Sequence, residues 1–465
     1  MVGSKRGFVR MLIQTVKSEI VSHLSYIVGS NDEAAVIDPR RDCQVYLEIA
    51  NRWAAKIKYV FETHRNEDYV TGSLELANLT DATIFHGPGL PWRFGETLQD
   101  NQEIKVGSLK IKALHTPGHS PESTSYVLYD SEVGDQPVIV FTGDTMFVGD
   151  VGRTDFLGKE MTPVMSGKLY DSITNRLFPL GDDVIVCPAH GAGSVCGGKI
   201  SEREISTIGI EKKTNPMLSL SKEEFVEQKT VERHATSPYF KKMEEFNLNG
   251  PPILGAIPNP RALTPSEFKK AAETAYIVDT RTAAAFAAAH VKDSFSLVPK
   301  RLSNVGWVAD YSKPILLVVE DLEALDFAVR NLLRLGLDNI VGYLRGGVEA
   351  WYNEGYPLAK AGLVTVHDLK KMVDSKEKIR ILDVRRENEW MEGHIEGSIR
   401  IYLGHVPEQV DQLPRDLPIV VVCKTGNRSS FGASVLLRAG FDQVYNCLGG
   451  IDAWIKSGYP LTRTG

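Results

Sequence analysis

The chain has 465 residues, which predicts about three domains, because a single core stops growing beyond about 250–300 residues. Its composition, 43% hydrophobic and 24% charged, is that of a folded globular protein and excludes disorder or a fibrous repeat as its main character. Lys and Arg number 53 against 59 Asp and Glu, a net charge of −6, which excludes a dedicated nucleic-acid binder of the basic kind.

From the start, residues 1–10 carry Lys5, Arg6 and Arg10 without a following apolar stretch, so no signal peptide is expected, and Met11 offers an alternative start. The most apolar runs are far shorter than the ~18–20 residues a membrane span needs, and no membrane partner is expected. Five cysteines form no disulfide framework, which points to a reducing compartment, the cytoplasm. Short apolar runs at 34–37, 59–61, 111–114, 138–141 and 184–186 predict buried strands. Several of the loops that end them carry His or Asp: Thr63-His64, Pro117-Gly118-His119, Thr142-Gly143-Asp144 and Pro188-Ala189-His190. Such a pattern converges polar groups on one edge of a scaffold. Residues 247–260 hold four prolines among glycines and asparagines and predict a linker.

Beyond the linker the sequence repeats. Gly346-Gly347-Val348-Glu349-Ala350-Trp351 returns 103 residues later as Gly449-Gly450-Ile451-Asp452-Ala453-Trp454. Three further blocks return at 104: Ile277-Val278-Asp279-Thr280-Arg281 as Ile381-Leu382-Asp383-Val384-Arg385, His290-Val291 as His394-Ile395, and Pro314-Ile315 as Pro418-Ile419. Each copy of about 100 residues alternates apolar runs with helical segments, the pattern of a parallel sheet flanked by helices. The expected domains are 11–250, 261–360 and 361–465.

In the second copy a strand runs into Cys423-Lys424-Thr425-Gly426-Asn427-Arg428-Ser429, followed by a helical pattern. Backbone amides, a helix N-terminus and nearby cations favour a thiolate, the nucleophilic form. Asp383-Val384-Arg385, Gly393-His394-Ile395-Glu396-Gly397-Ser398, the 423–428 loop and the Gly449-Gly450…Trp454…Gly458-Tyr459-Pro460 ending resemble a rhodanese domain. The resemblance implies that Cys423 carries sulfane sulfur as a persulfide. The amides of Lys424, Thr425, Gly426, Asn427 and Ser429 would cradle it. Arg428 would hold an anionic donor such as thiosulfate, with Arg385 a weaker candidate. In the first copy Val319 stands in place of the cysteine and the loop reads Glu320-Asp321-Leu322-Glu323. This copy resembles an inactive rhodanese, a spacer or docking surface. Cys43, Cys187 and Cys196 have no partner at metal-binding spacing and read as structural, and Cys447 as a core residue.

The four N-terminal loops, in order, resemble a metallo-β-lactamase fold. Thr63-His64-Arg65-Asn66-Glu67-Asp68-Tyr69 stands for Thr-His-x-His-x-Asp-His, and His119, Asp144 and His190 occupy the later motifs. Asn66 and Tyr69 replace two imidazoles, which argues against a tight two-zinc centre. His64, His119 and Asp144 remain as two histidines and one carboxylate, the donor set of a mononuclear ferrous site. The persulfide dioxygenases of this family use those positions, and Gly152-Arg153-Thr154-Asp155-Phe156 matches a further segment of theirs. The resemblance implies one Fe(2+) per chain, with Asp68, Tyr69 and His190 around the ligands. Arg153 is a candidate for substrate binding, and His115 reads as structural.

The expected fold class is α/β: a metallo-β-lactamase αββα sandwich, then two rhodanese-like domains with central parallel sheets. The order resembles the persulfide dioxygenase–sulfurtransferase fusions. It implies oxidation of a low-molecular-weight thiol persulfide by O2 to sulfite, coupled to sulfur transfer with thiosulfate or sulfite through Cys423. The alternatives are a zinc thioester hydrolase of the glyoxalase II type, or a sulfurtransferase whose first domain only docks. Association into a homo-oligomer stays open.

Overall fold

The structure is a computed structural model described over residues 11–463; the stretch 1–10, read above as lacking a leader, lies outside the described residues, as do 464 and 465. The chain divides into two units, 1–256 with 333–336, and 257–332 with 337–465.

The first unit holds two six-stranded sheets whose strands lie in sequence order. One contains β1 (Leu12–Ser18), β2 (His23–Ser30), β3 (Glu33–Ile37), β4 (Lys56–Glu62), β5 (Thr83–His86) and β6 (Glu96–Thr97). The other contains β7 (Glu103–Val106), β8 (Leu109–His115), β9 (Thr124–Asp130), β10 (Pro137–Gly143), β11 (Ile185–Pro188) and β12 (Ser206–Thr207). Alternate residues of each strand face the opposite sheet. Phe61 therefore meets Tyr126 (ring centroids 4.9 Å apart) and Tyr26 meets Phe141 (5.1 Å) in a core shared by both sheets. On the outer faces, the helix Gln44–Arg52 buries Tyr46, Ile49 and Ala50 at one-turn spacing. The helix Thr162–Ser172 does the same with Met165 and Leu169. The result is a helix–sheet–sheet–helix sandwich. Because β8 and β10 both run antiparallel to β9, and β11 runs parallel to β10, the C-terminal ends of β8, β10 and β11 share one edge.

The second unit holds two five-stranded sheets in which every pairing is parallel. The first contains β13 (Arg261–Leu263), β14 (Tyr276–Asp279), β15 (Ser294–Ser296), β16 (Ile315–Val318) and β17 (Ile340–Leu344), in the order β13-β17-β16-β14-β15. The second contains β18 (Gly362–Thr365), β19 (Arg380–Asp383), β20 (Ile399–Arg400), β21 (Ile419–Val422) and β22 (Val444–Leu448), in the order β18-β22-β21-β19-β20. The two orders are the same, and β14, β16 and β17 map onto β19, β21 and β22 residue for residue at the offset of 104. Small interactions repeat too. Trp351 Nε1 donates to Pro357 O at 3.0 Å and Trp454 Nε1 to Pro460 O at 2.9 Å.

The repeat also exposes one difference. Gly347 and Gly450 both have positive φ (61° and 54°), yet a Cβ on Gly347 meets nothing within 4 Å, whereas one on Gly450 falls 2.1 Å from the carbonyl oxygen of Cys423. Gly347→Ala should cost only the left-handed penalty of about 1–2 kcal/mol. Gly450→Ala should add about 1–3 kcal/mol of steric strain and push the Cys423 loop out of place. Chemical denaturation of the two variants measures the difference.

Among the described residues, no helix is long and apolar enough to cross a membrane. All five cysteines are free.

Candidate functional site

In the first unit the loop after β4 presents His64, that after β8 His119, that after β10 Asp144 and that after β11 His190, all buried. One donor atom from each of His64, His119 and Asp144 lies within 4.8 Å of the others. Asp144 Oδ2 is 3.9 Å from His64 Nε2 and 3.6 Å from His119 Nε2.

The hydrogen bonds behind these rings settle which nitrogen faces inward. Thr63 gives its hydroxyl proton to Asp38 (2.8 Å), so it accepts from His64 Nδ1 (2.9 Å). His119 Nδ1 donates to the carbonyl of Arg153 at 3.0 Å. In the neutral rings that bind a metal both Nε2 atoms are therefore the lone-pair nitrogens, and both are buried without a hydrogen-bond partner. A buried orphan acceptor is costly, and two aimed at one carboxylate are what a cation would satisfy; this backing is how metal-ligating histidines are held. Burial pushes His64 down to about 4, so the ring is neutral near pH 7. Burial works to raise Asp144, but His190 and then His64 outweigh it and hold the carboxyl well below the usual range. The donor set fits a divalent metal.

The surrounding residues fall into place unevenly. His190 Nδ1 bonds Asp144 Oδ1 at 2.8 Å, and its Nε2 lies 3.2 Å from Asp68 Oδ2. Tyr69 is buried with its hydroxyl unpartnered, its ring 4.0 Å from that of His23. Asn66 turns its amide nitrogen to the carbonyl of His64 at 3.2 Å and offers no ring nitrogen. His115 bonds the carbonyl of Pro121 at 2.9 Å, a loop contact.

Arg153, expected as a substrate cation, is spent on its own loop. It makes a two-point pair with Asp155 (2.6 and 2.8 Å), donates to Ala235 O and Thr236 Oγ1, and stacks on Phe156. It is 1% exposed, so its role is bracing the segment whose carbonyl orients His119.

Two residues at this centre escaped sequence reasoning. Glu67 Oε2 lies 3.6 Å from His119 Nε2 and 3.9 Å from His64 Nε2. Cys196, expected to be structural, is buried with its thiol donating to Glu67 Oε1 at 3.0 Å. Its sulfur closes two further donor groups, with Asp68 and His190, and with Glu67 and Asp144. Burial and then Glu67 push this thiol well up, so it is protonated near pH 7. Position 67 is a variable position of the motif, and Cys196 stands at no spacing that reveals it.

In the second unit, β21 delivers Cys423 to the loop that opens the helix Asn427–Arg438. Gly426 takes φ +97° as the cap of that helix, and its N–H reaches Cys423 Sγ at 3.1 Å. Ser429 Oγ lies 3.3 Å from the sulfur but 2.6 Å from Asn446 Oδ1. A hydroxyl has one proton, and the shorter bond takes it. Asn446, absent from the expected set, also donates to Gly426 O at 3.1 Å and so ties the loop to β22. The side chains of Lys424 and Thr425 are exposed.

The two arginines expected to hold an anion are otherwise engaged. Arg385 is buried, pairs with Asp383 at 2.7 Å, and donates to the carbonyls of Glu389 and Gly393. The copy without the cysteine keeps the same pair, Arg281 with Asp279 at 2.6 Å, which marks it as a structural pin. Arg428 makes a two-point pair with Glu389 at 2.6 and 2.7 Å, so most of its charge is already matched. At the offset of 104 this pair maps onto Ala285 and Ala324. In that copy Val319 is buried, and Asp321 Oδ1 accepts from Ala324 N at 2.8 Å, starting a helix rather than cradling an anion.

A metallo-beta-lactamase superfamily model matches residues 19–190, and a rhodanese-like domain model matches 264–354 and 365–457. The chain is thus a metallo-beta-lactamase domain joined to two rhodanese-like domains. Persulfide dioxygenase ETHE1, mitochondrial, of Bos taurus is 29% identical over 214 residues, 43% of this chain and 74% of that protein. Hydroxyacylglutathione hydrolase GloC of Haemophilus influenzae is 29% identical over 217 residues, 42% of this chain and 92% of that protein. The crystal structure of a metallo-beta-lactamase from Staphylococcus aureus subsp. aureus COL superposes with a TM-score of 0.64 at 28% identity, covering 73% of this chain and 99% of that one. The first domain is ETHE1-like, and the chain belongs with the fusions of such a domain to two rhodanese-like domains.

Proposed function

We propose that the protein is a persulfide dioxygenase and sulfurtransferase, with domains at 11–250, 261–360 and 361–465. The observation that carries the reading is the pair of orphaned Nε2 atoms of His64 and His119 facing the ionised Asp144. Asn66 and Tyr69 stand where a two-zinc centre needs imidazoles. Two imidazoles and one carboxylate suit a single Fe(2+) with open positions. When bound there, ferrous iron supplies the one-electron chemistry that lets dioxygen react with a sulfur anion. The balanced reaction takes a thiol persulfide, O2 and water to the thiol, sulfite and two protons. Asp144 is steered by His190, and Asp68 lies against the far side of His190, so these two keep the carboxylate oriented.

At the second site the Cys423 thiolate attacks the outer sulfur of thiosulfate. A new S–S bond forms, the thiosulfate S–S bond breaks, and sulfite leaves with the bonding pair. A thiophilic acceptor then takes the outer sulfur and restores the thiolate. The Gly426 N–H, 3.1 Å from the sulfur, stabilises its negative charge, and the amides of Lys424, Thr425, Asn427 and Ser429 complete the cradle in this reading.

The test is metal analysis and oxygen uptake on protein purified anaerobically without added metal. The expected result is close to one iron per chain, with one sulfite formed per O2 consumed from glutathione persulfide. A second reading, thioester hydrolysis at a two-metal centre, draws support from the Asp68–His190–Cys196 donor group and the hydrolase relative. It predicts about two zinc ions per chain and cleavage of S-lactoylglutathione.

A further inference from the structure

The rhodanese copy without the cysteine packs on the other through two contacts, one on the helix that follows the Cys423 loop and one on the turn that follows β20. On one side β15 meets the helix that follows the loop: Ser296 Oγ bonds Ser430 Oγ at 2.7 Å, Ser296 N donates to Ser434 Oγ at 3.1 Å, and Phe295 meets Phe431. On the other, Trp307 lies 5.5 Å from Tyr402 and 6.3 Å from His405, and so close to Gly404 that a Cβ there would sit 2.3 Å from its ring. The turn Pro299–Trp307 connects these anchors, and its backbone leaves helical values at Arg301 (φ −125°, ψ 17°).

Arg301 lies within this turn. Its side chain is partly exposed and has no hydrogen bond or ion pair among the described residues. Its electrostatic neighbours are the groups of the active copy. Burial and then the Arg428 cation lower its pKa, while Cys423 and Glu389 hold it up. Arg428 and Arg385, by contrast, are already matched by Glu389 and Asp383.

We propose that Arg301, from the copy without a cysteine, supplies an uncompensated positive charge that draws the anionic sulfur donor to Cys423. The inactive copy is then a working wall of the site, and the specificity for an anionic donor is shared between the two copies. The proposal deepens the sulfurtransferase reading and rests on it for the identity of the donor. The positive charge itself can be tested without turnover.

Iodoacetate and iodoacetamide have nearly the same size and the same leaving group and differ in charge. In the full-length chain, mass spectrometry gives the rate at which each alkylates Cys423. Arg301→Gln should lower the iodoacetate-to-iodoacetamide rate ratio about five- to tenfold at low salt, and Arg301→Lys should keep it within about twofold. In turnover, Arg301→Gln should raise KM for thiosulfate by a similar factor with kcat within about twofold, and high salt should narrow the gap. An unchanged alkylation ratio overturns the proposal. A changed ratio in a chain that transfers no sulfur from thiosulfate leaves the Arg301 charge standing and refutes the sulfurtransferase reading instead.

Discussion

Cys423→Ser should abolish thiosulfate:cyanide sulfurtransfer, by more than about 10³-fold, and leave persulfide-dependent O2 uptake within about twofold. The nucleophile in this chemistry is a thiolate. A serine hydroxyl stays protonated near pH 7 and cannot form a persulfide. The substitution is close to isosteric, and the cavity it enters is already polar on one side, with the Gly426 N–H at 3.1 Å and Ser429 Oγ at 3.3 Å. Loss of activity would therefore report chemistry rather than unfolding, and an unchanged melting temperature should accompany it. None of the other four cysteines is placed to substitute. Cys447 is buried, with its thiol pushed up to about 12 by burial. Cys43, Cys187 and Cys196 belong to the first unit, and burial pushes each of their thiols up. Thiocyanate formation measured by its ferric complex reads the outcome, and retained transfer would refute the assignment of Cys423.

What the sequence made legible follows from which interactions are local. The repeat could be read because it constrains many residues at once, and β14, β16 and β17 fall onto β19, β21 and β22 in the same register. His64, His119 and Asp144 could be read because each ends a strand in a short recognisable loop. The pairing of the arginines was harder to read, for one reason. A sequence shows a cation but not the carboxylate that neutralises it, and Glu389 lies 39 residues from Arg428. Arg153 and Arg385 were decipherable in principle, since Asp155 and Asp383 stand two residues away, and the copy with Val319 keeps Asp279 and Arg281 without a cysteine to serve. Cys196, 129 residues from Glu67, and Asn446 and Arg301 come from turns and strands that carry no motif. Only the folded chain brings them to their sites.

His64→Ala should give the mirror image of the cysteine variant: iron below about 0.1 per chain, no persulfide-dependent O2 uptake above background, and thiosulfate:cyanide transfer within about twofold of the wild type. Removing one imidazole leaves His119 and Asp144, two donors where a divalent ion held by protein needs at least three. It also strands Thr63, whose hydroxyl accepts from His64 Nδ1 and donates to Asp38, so some loss of stability in the first unit is expected. His64→Gln, which can refill part of the space and offer an amide oxygen, should lose the metal with less destabilisation. The pair of variants separates the three readings of the first domain. If iron and O2 uptake vanish together while sulfurtransfer persists, the centre is an oxygenase site independent of Cys423. If zinc and S-lactoylglutathione cleavage vanish instead, it is a hydrolase, and the Asp68–His190–Cys196 group becomes the place to look for the second ion. If neither activity changes in any assay, the buried histidines serve only to hold the loops, and the domain docks rather than catalyses. That last outcome would leave two buried Nε2 atoms without a partner, a cost that a folded protein rarely bears without a use for it.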